Sequence, residues 1–426
     1  MSHSCWFQRA ALAVTCAVGS SIHLHAVSAG PIAIHGAVSA TASYSDKYDF
    51  YGSTGESIDI NNLELTLNGA HQFANGVRLS AQLYAYELGD SSDLTLDFAS
   101  LDYAFNEKIG IRIGRNKQPN GLFGDSQDLD FVRPFVFLPL GIYGKDQRAL
   151  TAAFDGATLY GSLDFAAAGS IDYQLTAGWT TRMSEDDPFI SSIGESSPSV
   201  TTSMDVGESN TAWLAWNTPI DGLRLGGSAS MVRGLSMDGV MRTAAELATI
   251  PSDLRTLPSA FPEGVWDMAV AGQSTTLDLD MVRSFFFAEY TRGDWQFITE
   301  YTQMQMDMTS VMPLFGASTL KMRSDAYYGM VTWQATPRLQ LGAYYAESFA
   351  NKYDRKGRLN VIVPDHRAWT KDLAVSASFA ATEWLQLKAE VHAINGTQLL
   401  AGRGNPDVTT WERDWLYFAV KSTISF

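Results

Sequence analysis

The chain has 426 residues, a formal net charge of −16 and a mean hydropathy of −0.07. That acid excess makes it a poor partner for a phosphate backbone and argues against nucleic-acid binding. No run of 18 or more apolar residues occurs, which excludes a transmembrane helix but not a spanning barrel, whose lipid-facing and lumen-facing residues alternate and average out.

Segment 1–29 reads as a secretory signal. Arg9 supplies one positive charge, Ala10 to Val18 form an apolar stretch, and Val27-Ser28-Ala29 place small residues before a cleavage point. Both cysteines, Cys5 and Cys16, fall inside it. A chain beginning at Gly30 then has no thiol for a disulfide, for catalysis or for a metal. The remainder, 30–426, reads as one domain. Charged residues are 18% of the whole, below the usual quarter, and 35 glycines favour an all-β chain.

From Ile32 onward, apolar and polar residues alternate with period two. Val77, Leu79, Ala81, Leu83 and Ala85 share one face, and Arg78, Ser80, Gln82, Tyr84 and Tyr86 share the other. Sixteen candidate strands follow in order: 32–44, 56–72, 76–88, 94–105, 109–117, 148–160, 171–182, 209–218, 222–234, 275–291, 295–308, 321–335, 338–350, 367–381, 384–395 and 411–426. Most exceed the five or six residues typical of soluble strands and suit a tilted spanning strand.

The connections alternate in length. Short turns such as Phe73-Ala74-Asn75-Gly76, Pro219-Ile220-Asp221-Gly222 and Thr336-Pro337-Arg338 are interleaved with long loops, notably 118–147, 183–208 and 235–274. Seven turns and eight loops fit an even-stranded transmembrane antiparallel barrel with both termini on the short-turn side, the periplasmic arrangement of outer-membrane barrels. The last strand alternates Leu416, Phe418, Val420, Ser422, Ile424 and Phe426 with Tyr417, Ala419, Lys421, Thr423 and Ser425. An apolar edge of this kind is an aggregation hazard that barrel closure removes. Trp179, Trp213, Trp216, Trp295, Trp333, Trp369, Trp384, Trp411 and Trp415 fall near strand ends, where interfacial aromatic girdles are expected.

The loop after the fifth strand carries the most specific pattern. Gly114-Arg115 leads to Pro119, Asn120, Gly121 and Leu122. Arg133-Pro134 and Leu138-Pro139 follow, then Ile142-Tyr143, with Gly156 to Gly161 beyond the loop. Over 110–161 the sequence resembles the trimeric porins of the Gram-negative outer membrane, in particular a proteobacterial branch related to the phosphate-selective type. The terminal Phe426 resembles the assembly signal read by the barrel assembly machinery. The resemblance implies a homotrimer and a third loop, 118–147, folded inward to constrict the lumen.

In such a constriction Asp125, Asp128 and Asp130 would offer negative charge, and Arg133, Lys145 and Arg148 positive charge. Opposed clusters in a low-dielectric passage would set a transverse field that selects among solutes. Ion pairs within a solvated loop are the plainer alternative. Arg78, Arg112, Arg224, Lys388 and Glu390 lie on polar strand faces and should point into the lumen, because a lipid-facing charge costs about 2–4 kcal/mol at the midplane. No dense basic ladder appears, which weighs against phosphate selectivity.

Outside 1–29 the histidines are His35, His71, His366 and His392, without metal-ligand or triad spacing, and no nucleotide or hydrolase motif occurs. The expectation is therefore a non-enzymatic outer-membrane channel without cofactor, passing small hydrophilic solutes and ions by passive diffusion beside lipid and lipopolysaccharide. A channel specific for one class (carboxylate, sugar or phosphorylated solute) and a plugged surface-binding barrel are the alternatives. The acidic loops would bind divalent cations, favour cations in the pore, or simply keep the surface soluble.

Overall fold

The computed structural model describes residues 32–51, 58–88, 91–130, 133–145, 148–183, 189–190, 197–250, 263–361, 363–402, 404–405 and 407–426. The expected signal segment, with Cys5 and Cys16, lies outside them.

Seventeen strand segments follow in chain order: β1 (Ala33–Ser45), β2 (Asp59–Gln72), β3 (Arg78–Leu88), β4 (Ser91–Asn106), β5 (Ile109–Lys117), β6 (Ala153–Asp164), β7 (Ser170–Thr180), β8 (Ser199–Asp205), β9 (Glu208–Asn217), β10 (Leu223–Met241), β11 (Ser274–Arg292), β12 (Trp295–Met312), β13 (Gly316–Thr336), β14 (Leu339–Phe349), β15 (Trp369–Ala380), β16 (Leu385–Gly396) and β17 (Asp414–Ser425). β8 and β9 both pair with β10 and form one interrupted stave, so the barrel has sixteen staves. All neighbours are antiparallel, and β1 pairs with β17 from Ala37↔Ser425 to Ser45↔Tyr417, which closes the sheet into a barrel. Among the described residues, no helix is long and apolar enough to cross a membrane.

The burial pattern is inverted relative to a water-soluble protein. On β17, Leu416, Phe418, Val420 and Ile424 are exposed, while Tyr417, Ala419, Lys421 and Thr423 are buried. The same reversal sets exposed Leu79 and Leu83 against buried Gln82 and Tyr84 on β3. An apolar belt facing outward, as on these staves, is a surface suited to lipid.

Several boundaries differ from the sequence reading, and one cause accounts for most of them. β8, the far end of β10 and the β12–β13 hairpin extend into ranges expected to be loops. There Thr309 faces Thr319 and Ser310 faces Ser318, with polar side chains on both faces. Strand outside the bilayer needs no apolar face, so the alternation that marks a spanning strand is lost. Arg148, expected on the sixth strand, instead opens a helical turn, Arg148–Thr151, before β6. Trp213, Trp411 and Trp415, expected in an interfacial girdle, are buried on the inner side. Trp213 packs on Phe287, and the other two pack with Phe137 of the 118–147 loop.

The barrel seam is tight. Gly36 and Phe426 exchange both backbone hydrogen bonds at 3.0 Å, and a Cβ at Gly36 would strike the Phe426 ring. Gly36→Val is expected to overpack the seam at a cost of about 1–3 kcal/mol. The check is the fraction of heat-modifiable folded barrel on a cold gel, which should fall relative to Gly69→Val, a position where a Cβ meets nothing.

Candidate functional site

The 118–147 connection leaves β5 at Lys117 and is bonded to staves on several sides. Its first part sits on β9, β10 and β12. Gly121 N–H donates to Ser228 Oγ at 3.0 Å, Trp213 Nε1 donates to the Gly121 carbonyl at 2.9 Å, and Leu122 N–H donates to Glu300 Oε1 at 2.7 Å. Gly121 has φ 65°, and a Cβ there would lie 2.6 Å from Glu300 Oε1 and 2.7 Å from Tyr143 Oη, so only glycine lets the chain approach. Glu300 is buried and also accepts from the Tyr143 hydroxyl at 2.7 Å and the Tyr328 hydroxyl at 2.6 Å.

The second part meets the other side. Val136 and Phe137 N–H both donate to the Glu390 carboxylate, at 2.7 and 3.2 Å. Arg283 on β11 donates to the Ile142 carbonyl at 2.6 Å. Phe135 packs against Tyr344 at 4.9 Å between ring centres.

The charges of the loop and wall join into ion pairs. Asp128 holds Arg148 at 2.9 Å and also pairs with Lys117, and both cations pair with Asp97 on β4. Asp130 lies 3.0 Å from Lys388 and 3.1 Å from Lys421, accepts from Thr423 Oγ1 at 2.6 Å, and has Arg133 at 3.8 Å. Lys145 and Lys421 share Glu64 of β2. The Arg148 guanidinium lies 4.2 Å over the Tyr84 ring, and the Tyr84 hydroxyl donates to Glu64 at 2.7 Å.

Loop acids and bases therefore pair with one another and with the wall, rather than separating into two opposed clusters. Asp125 stands apart, exposed, and accepts from Gln174 Nε2 at 3.1 Å. Of the expected wall residues, Arg112 pairs with Asp102 at 3.0 Å, Arg224 lies 3.7 Å from Asp172 and 4.0 Å from Glu289, and Lys388 and Glu390 engage the loop directly. Arg78 faces a cavity of about 350 Å³, shared with Gln82, Lys117, Asp125 and Asp128.

Glu64, Asp97, Lys117, Glu300 and Lys421 were not singled out from the sequence. Each sits at a polar position of an alternating strand, a signal that marks the inner face but not which inner residues meet the loop.

Burial acts to raise the Asp130 carboxyl, but Lys421, Lys388 and Arg133 outweigh it and hold the group well below its ordinary 3.8. Burial likewise opposes ionisation of Asp128, and Arg148 and Lys117 outweigh it in the same way. A depressed folded-state value means that the stabilisation is complete above the ordinary carboxyl range and is lost as pH falls from there through the depressed values. The thermal midpoint is expected to show no contribution from these two groups between pH 7 and about 5, then a decline below about 4. Titrating melting curves of the native chain against Asp128→Asn/Asp130→Asn checks this, since the double variant should lose most of the decline.

No family model matches the sequence, and no curated protein resembles it. Solved structures do share its fold. The anion-selective porin from Comamonas acidovorans matches at 10% identity and TM-score 0.53, over 93% of this chain and 99% of the other. Salmonella typhi OmpF in complex with daunomycin matches at 14% and 0.52, over 93% and 97%. A loop-deletion mutant of OmpT, an outer membrane protein of Vibrio cholerae, matches at 12% and 0.52, over 93% and 100%. At such identities the likeness speaks for the fold alone, and that fold is the closed sixteen-stave barrel of the outer-membrane porins.

Proposed function

We propose that the protein is an outer-membrane channel that passes small hydrophilic solutes and ions by passive diffusion through a lumen narrowed by the 118–147 loop. The observation that carries this reading is the double attachment of the loop, to Glu300 on β12 and to Glu390 on β16, with a polar inner wall around it. A segment held by both carboxylates spans part of the lumen and leaves passage only beside it. In a narrow passage of low dielectric, fixed charges act strongly on permeating ions. The ion-pair network contains six bases (Lys117, Arg133, Lys145, Arg148, Lys388 and Lys421) and four acids (Glu64, Asp97, Asp128 and Asp130). Glu300 and Glu390, which hold the loop, bring the acids to six as well, so fixed charges of both signs line the passage.

The finer expectations belong to the same reading. They are a signal at 1–29, assembly through Phe426, a homotrimer, and loops facing lipopolysaccharide. Planar-bilayer recording under a KCl gradient tests it. Steady conductance steps are expected, and the sign of the reversal potential reads which ion the passage favours. Silence from folded, inserted protein would replace the channel with a plugged surface-binding barrel.

A further inference from the structure

The methionines are not scattered. The chain has 14, and Met183, Met204, Met237, Met281, Met304, Met306, Met308 and Met322 belong to one cluster on the inner side of the barrel. β12 reads Gln303-Met304-Gln305-Met306-Asp307-Met308, so three thioethers alternate with polar residues and share one face. Met306 lies directly opposite Met281 of β11 on one side and Met322 of β13 on the other. Directly paired side chains have Cβ atoms about 4.5–5.5 Å apart, and those two residues along a strand are about 7 Å away. Four thioethers thus surround that of Met306, on side chains with enough rotatable bonds to converge.

Packing alone explains such a patch less well. Leu and Ile fill a wall with better-defined rotamers, and the neighbouring positions Leu150, Val232, Leu235 and Leu279 are filled that way. Met281 and Met306 are buried, whereas Met304, Met308 and Met322 are half-buried, which gives the group a closed side and an approach. Arg283, opposite Met304, is directed to the Ile142 carbonyl and the Phe285 ring, and Arg323, next to Met322, pairs with Asp307 and donates to the Met306 and Met322 carbonyls. Strand alternation puts the carboxylates of Asp280 and Asp307 on the opposite face, where Arg323 pairs with Asp307, and neutral soft sulfur ligands on the methionine face select a soft monovalent ion.

We propose that Met281, Met304, Met306, Met308 and Met322 form a thioether site for cuprous copper. The site depends on the inner face of the barrel and not on the channel reading.

Silver(I) is the air-stable probe, followed by copper(I) under anaerobic ascorbate. Folded full-length protein in detergent, labelled with ¹³C at the methionine methyls, is titrated and then desalted for metal analysis. The expected result is a retained equivalent of metal, with methyl shifts confined to these five residues. Met306→Leu/Met322→Leu keeps the volume and the heat-modifiable fold, and is expected to weaken binding about tenfold or more, the scale on which even supporting groups alter metal affinity. Met308→Leu serves as a second variant should the double one fail to fold. Met231→Leu, outside the cluster, should leave binding unchanged. Loss of the metal on desalting, equal retention by the variants, or shifts at Met231 or Met268 instead would each overturn the proposal.

Discussion

Asp130→Ala is expected to cost about 3–5 kcal/mol, because it strips a buried partner from charges that stay behind. Lys388 and Lys421 are each only 1% exposed at the side chain and lie 3.0 and 3.1 Å from this carboxylate. Lys421 retains Glu64, but Lys388 keeps only main-chain carbonyls of the loop. The loop also loses its tie to Thr423. Two measurements should move together. The temperature at which the barrel shifts on a gel should fall, and single-channel conductance should rise or become noisy as the loop comes away from the β16–β17 wall. Asp130→Asn keeps the shape without the charge and should fall between the two. A lower melting temperature with unchanged conductance would mean that the network stabilises the wall without holding the constriction.

The second large effect is expected on the opposite side. Glu300→Leu leaves the Tyr143 hydroxyl, the Tyr328 hydroxyl and the Leu122 N–H without their acceptor. Each buried donor left unsatisfied costs about 1–3 kcal/mol, so the loss should exceed that of removing one donor. Tyr143→Phe leaves Glu300 two donors and takes the acceptor from only one N–H, that of Phe123, so it should cost less, about 1–3 kcal/mol. The ordering of thermal midpoints checks this: native highest, Tyr143→Phe lower, Glu300→Leu lowest. Glu300→Gln retains one acceptor oxygen and should recover part of the difference. Equal midpoints for Glu300→Leu and Tyr143→Phe would show that the donors find water instead.

The two sites differ in kind. Around Asp130 the holding force is charge, and it is open to low pH. Around Glu300 it is a single carboxylate collecting neutral donors from the loop and the wall. A loop secured by both would respond to acid on the β16–β17 side first. The tie on that side would weaken progressively as pH falls from the ordinary carboxyl range towards the depressed value of Asp130, while the Glu300 end still held.

What the sequence determined by itself was the wall. A stave facing lipid on one side must carry an apolar residue at every second position, so Leu79, Leu83, Leu416 and Phe418 declared both the strand and its outer face. Tight turns at one end and long connections at the other followed from glycine and chain length, and with them the parity of the barrel. The chain around Pro119, Gly121 and Arg133-Pro134 marked the loop that the structure ties to the wall. What only tertiary structure decided was the pairing. Glu64 meets Lys421 because closure of β1 on β17 brings the two ends of the chain side by side, Lys388 meets Asp130 because the 118–147 loop reaches the β16–β17 wall, and no local pattern encodes a partner hundreds of residues away. The inward burial of Trp213 and Trp415 and the polar extensions of β8, β10, β12 and β13 were hidden for a related reason. Beyond the lipid, or beneath a loop, the rule that makes a barrel legible no longer constrains which residues face which way.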